Sequence, residues 1–164
     1  MIWNRIYALD LKYAVVISVI AVFIWGIAMG KIGEKKAGII CGIMLIAACF
    51  IIAKLTLFRE SGGREVRLFP FRGSYAPNSE YPRTLLMNVL LFLPFGISFP
   101  YLLRGKKRAF KTAAAALGIS FLAEVLQYVF AIGVTEVDDL ICNTAGALLG
   151  SIGYYISSSF PSMR

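Results

Sequence analysis

The 164-residue sequence contains no histidine. That absence excludes a Ser-His-Asp or Cys-His catalytic relay and any histidine metal site. Cysteine is sparse: Cys41, Cys49 and Cys142 are odd in number and lie in apolar runs, which excludes a disulfide framework. Charge is scarce too, at 16% of residues, where a soluble domain carries about 25%. Apolar residues take its place, at 59% with a mean hydropathy of +0.74. Disorder requires the opposite composition. One integral membrane domain over residues 1–164 follows, with no room for a large soluble enzyme beside it.

Five apolar runs are long enough to span a bilayer: Tyr13–Gly30, Ala37–Phe58, Thr84–Leu103, Thr112–Gly133 and Leu140–Phe160. A spanning helix needs ~20 such residues, and runs of this length are too long for strands. The expected fold is therefore all-α, a polytopic bundle of five transmembrane helices. Orientation follows from lysine and arginine in short loops. Lys31, Lys35 and Lys36 fill the first turn, and Arg104–Lys111 holds five basic residues and no acid. Both turns then face the cytoplasm, with the N-terminus outside and the C-terminus inside. The long loop Arg59–Arg83 falls outside, although it carries five arginines against three glutamates. The net charge of +8 is thus mostly a topology device. No basic stripe exists to bind nucleic acid.

The polar residues within the spans converge on one end. Glu124 and Gln127 share a face of the fourth helix, with Ser120 one turn below. Asp139, Asn143, Gly146 and Gly150 form a stripe on the fifth, polar outside and glycine further in. Asn88 sits near the outer end of the third. Helical rise places Glu124 ~13 Å and Gln127 ~9 Å in from Gly133. This graded series is the profile of a water-accessible pocket open to the outside. An acid at mid-helix costs ~2.5–3.5 kcal/mol on insertion scales, whereas interhelical hydrogen bonds return ~0.6 kcal/mol on average. Function is the default reading, and a helix-tying Glu124 the bland one.

Other features have structural readings. Pro94 frees the carbonyl of Leu90 within the third helix, and Gly146-Ala-Leu-Leu-Gly150 marks close packing. Asp138-Asp139 reads as a metal pair or as an N-cap, the cap fitting a helix start better. Phe69, Phe71 and Tyr75 suit headgroup depth, with arginines such as Arg72 near phosphates. The negative loop at Glu136–Asp139 offers a dock for this positive outer loop.

The ordered set Arg67-Leu-Phe-Pro-Phe, Met87-Asn-Val-Leu-Leu-Phe-Leu-Pro-Phe-Gly96, Glu124-Val-Leu-Gln127 and Gly133-Val-Thr-Glu-Val-Asp-Asp-Leu-Ile-Cys-Asn-Thr-Ala-Gly146 resembles the VanZ-like family of small bacterial membrane proteins. The resemblance implies a four-helix core over residues 37–160, here extended by an extra first helix. It also implies a link to resistance against the lipoglycopeptide teicoplanin. Asn88, Pro94, Glu124, Gln127, Asp139, Asn143 and Gly146 fall on the family's motif positions.

The expected ligand-binding residues are Asn88, Glu124, Gln127, Asp138, Asp139, Asn143 and Arg72, with Pro94, Gly146 and Gly150 for packing. The ligand would be a lipid-linked cell-wall precursor, another envelope lipid or the lipoglycopeptide's tail. No cofactor or metal is expected in this reading. The alternatives are a membrane-embedded enzyme, with Glu124 as acid or base and Asp138/Asp139 on a divalent metal, and a ligand-free scaffold. Against the enzyme stand the missing histidine and the lack of a nucleophile beside a base.

Overall fold

A computed structural model describes residues 11–57, 63–71 and 81–159. Five helices run through it: α1 (Leu11–Lys31), α2 (Glu34–Leu57), α3 (Tyr81–Leu102), α4 (Arg108–Phe130) and α5 (Val137–Ser158). Two short strands, β1 (Gly63–Arg67) and β2 (Ile132–Glu136), complete the described elements. The protein is an all-α membrane bundle. By length and composition, α3, α4 and the Lys35–Leu55 stretch of α2 can cross a membrane, and α1 adds the shorter apolar stretch Val16–Lys31.

The fifth expected span forms as a helix but is not among those long and apolar enough to cross on composition. The reason is its place in the bundle. α5 packs against α1, α3 and α4, which buries much of it and leaves one apolar side, with Ile141, Leu148, Leu149, Ile152 and Tyr155, exposed. Asp138, Asp139, Asn143, Ser151 and Ser157 are all buried on it. A central helix can carry polar residues that a lipid-facing one cannot.

Glycine sets the spacing of α3 against α5. A Cβ on Gly146 would collide with the Val89 carbonyl oxygen, and one on Gly150 with that of Leu93. Backbone therefore meets backbone, the small-residue packing that membrane helices use where the hydrophobic effect is absent. Pro94 and Pro100 both lie inside α3, which runs continuously across them. Below this contact Phe92 and Phe95 are fully enclosed against Ala48, Ile52, Ala116 and Ala147, and the Phe95 and Phe99 rings stack at 4.9 Å.

The sheet departs from the sequence reading. α4 stops at Phe130, because Ala131 takes a left-handed conformation (φ 54°) and caps the helix with its N–H to the Gln127 and Tyr128 carbonyls. The chain then turns back along α4 as β2. β1 pairs with it in parallel, Gly63 opposite Ile132 and Arg67 opposite Glu136. The expected loop at 134–139 is thus part strand and part first turn of α5, and the long loop docks on it.

Gly146→Leu should destabilise the protein by roughly 1–3 kcal/mol, the range for overpacking a tight contact. Gly118→Ala is the control, since nothing lies within 4 Å of a Cβ there. It should be neutral or stabilising by about 0.4–1 kcal/mol. Thermal unfolding in detergent measures both.

Candidate functional site

Three acids lie buried at the sheet end of the bundle: Glu124 (4% exposed), Asp138 (6%) and Asp139 (8%). A buried carboxylate needs donors. The donors come from β2, the turn after β1, and α3.

Glu124 projects from α4 toward the start of α5. Its Oε2 accepts the backbone N–H of Glu136 at 3.0 Å, and its own carbonyl accepts the Thr135 hydroxyl at 3.3 Å. β2 thus folds back to the level of Glu124, six residues or ~9 Å below the end of α4. The depth reasoned from Gly133 assumed a straight helix to that residue. Gly133 instead sits beside Gln127, where a Cβ would be 3.4 Å from the amide side chain. Gln127, 1% exposed, therefore lies beneath the strand.

Asp139 faces two helices. Its Oδ1 accepts the Asn88 side-chain amide from α3, and its carboxyl neighbours that of Glu124 on α4. One turn deeper, Asn143 donates to the Ser120 hydroxyl at 2.8 Å. α4 and α5 are thereby joined by the Ser120–Asn143 hydrogen bond, one turn below the neighbouring Glu124 and Asp139. Asn143 Oδ1 is buried without a hydrogen-bond partner among the described residues.

Asp138 points away from that pair. It accepts the Phe71 backbone N–H at 2.9 Å and the Tyr81 hydroxyl. The two neighbouring aspartates therefore diverge, which does not suit a metal pair. Among the described residues no group of three or more acidic or cysteine side chains converges to hold a metal ion. Neither aspartate is the N-cap. That position belongs to Glu136, whose side chain makes no cap bond and instead accepts Arg67 at 2.8 Å. Asp138 and Asp139 occupy the first turn of α5, where negative charge complements the helix dipole.

The segment after β1 covers this end. Leu68 and Phe69 are each 67% exposed. Phe71 adopts φ 59°, a region uncommon for a bulky residue, in the geometry that delivers its N–H to Asp138. Arg72 and Tyr75 lie outside the described residues. The site thus brings together Asn88, Glu124, Asp139 and Asn143, sets Gln127 under the strand, and turns Asp138 toward Phe71. Sequence reasoning missed Ser120 as a partner of Asn143, and Phe71 and Tyr81 as partners of Asp138.

A family model described as VanZ/LLP1 matches residues 37–158, from the second described helix to the end of the fifth. The chain belongs to the VanZ/LLP1 family. It is 36% identical over 77 residues to Protein VanZ of Enterococcus faecium, an alignment spanning 46% of this chain and 47% of that protein. No solved structure matches. The VanZ/LLP1 match contains every described residue of the polar site and begins after α1, which stands outside it.

Glu124→Leu removes the acceptor for the Glu136 N–H, and a buried unpaired donor costs roughly 1–3 kcal/mol. Amide hydrogen exchange across β2 and the first turn of α5 should accelerate. Glu124→Gln keeps a carbonyl oxygen in place and should retain the wild-type protection.

Proposed function

We propose that this VanZ-type membrane protein is linked to teicoplanin resistance and acts by binding, without catalysis, an envelope ligand at its polar end. The observation that carries the reading is the Glu124–Asp139 carboxyl pair, buried where α4, α5 and β2 meet. An acid this deep is costly, and Glu124 has no basic side-chain partner among the described residues. Carboxyl groups and the Asn143 carbonyl are acceptors. The matching part of a ligand is a donor: a hydroxyl, an amide or an ammonium group. A lipid-linked cell-wall precursor and a lipoglycopeptide both offer such groups on an acyl anchor.

Access requires the Phe71–Asp138 contact to open, since β1 and the residues after it overlie the acids. The basic turns set the orientation. Lys106 and Lys107 before α4 and Arg108 and Lys111 in its first turn cluster at one end of the bundle, so we assign that end to the cytoplasm and the sheet end to the outside of the cytoplasmic membrane. The N-terminus then lies outside and the C-terminus inside.

The test is the inhibitory concentration of teicoplanin beside that of vancomycin, which lacks the lipid tail. Glu124→Gln and Asn143→Leu should each bring resistance down to the level of cells without the protein, with membrane levels unchanged. If the polar residues only tie helices together, Glu124→Gln will be silent and Gly146→Leu will be the damaging change.

A further inference from the structure

Among the described side chains of α1, the buried ones all lie in its second half. Val22, Gly26, Met29 and Gly30 are buried, whereas Val16, Ile17, Val19 and Ile20 are about half exposed. The contact is fixed by glycine: a Cβ on Gly26 would lie 2.8 Å from the Gly153 carbonyl oxygen. α3 is held against α5 at a different level, by Gly146 and Gly150. α1, α3 and α5 together line a groove of about 170 Å³, floored by Leu149 and Ile152 and walled by Val19, Phe23, Leu90 and Leu93.

We propose that this groove holds one acyl chain of a membrane lipid, from the leaflet on the sheet side. The walls are apolar apart from Ser18. Val19, Phe23, Leu149 and Ile152 in the lining are about half exposed, on helices that stand in a bilayer, where the surrounding medium is acyl chain. The size of the groove fits a short segment: an apolar cavity of about 150 Å³ takes a six-carbon ring. A chain lying there meets protein on three sides, whereas one on the outer face of α2, at Ile43, Ile46 and Phe50, meets it on one. Dispersion attraction scales with the number of such contacts, so the groove retains a chain longer than the open face does. The inference uses the membrane setting of the helices and nothing of the carboxyl pair, so the two readings fail separately.

The experiment uses the full chain in nanodiscs of phosphatidylglycerol, doped with phosphatidylglycerol that carries a photoreactive diazirine on one acyl chain. Crosslinks mapped by mass spectrometry should be enriched severalfold at Val19, Leu90 and Ile152 over Ile43, Ile46 and Phe50. Val19→Trp fills the mouth of the groove and should abolish that enrichment, with the melting temperature unchanged. Leu149→Phe, which fills the floor, should do the same and stands in if the first variant fails to insert. Equal labelling of both faces would mean passing lipid only and would overturn the proposal. Protein–protein crosslinks at the groove residues would overturn it in favour of a second copy of the chain.

Discussion

Burying carboxylates at one end of a membrane bundle imposes a demand for donors, and the architecture of that end answers it. Glu124 is served by the Glu136 N–H, Asp138 by Phe71 and Tyr81, and Asp139 by Asn88. Those donors come from β2, the turn after β1, and α3. Without the acids there would be little reason for β2 to fold back along α4. With them, an otherwise irregular backbone segment is tied into the protein, as non-helical chain near a membrane must be.

α5 organises the rest because each of its faces does different work. Its glycines admit α3 and α1 to backbone contact, at Gly146 and Gly150 on one side and Gly153 on another. Its first turn carries the aspartates, and Asn143 bonds across to α4. The polar site and the apolar groove are therefore built on one helix but lie on different sides of it. A ligand with a donor-bearing head and an acyl tail offers chemistry that matches both.

The helices were legible because apolar length is a strong signal, and α1 and α2 are apolar on nearly every face. The polar stripe was legible as well, since helical spacing puts Ser120 and Glu124 on one face and Asp139 and Asn143 on another. The sheet was not. A parallel pair joining residue 63 to residue 132 leaves no local pattern, and the left-handed turn that ends α4 falls on alanine, not on the glycine two residues later. That turn moved Gln127 from an expected pocket wall to a support beneath β2. The groove was hidden for a different reason: it is lined by α1, α3 and α5 together, and no single segment encodes it.

The donors at the sheet end are there because the acids are. A double-mutant cycle between Asn88 and Asp139, read by unfolding in detergent, tests this dependence most directly. Asn88→Leu and Asp139→Leu should each cost roughly 1–3 kcal/mol by stranding the other partner. The double variant should cost less than their sum by about 1 kcal/mol or more, because replacing both partners removes the stranded group. Strict additivity of the two changes would contradict the claim.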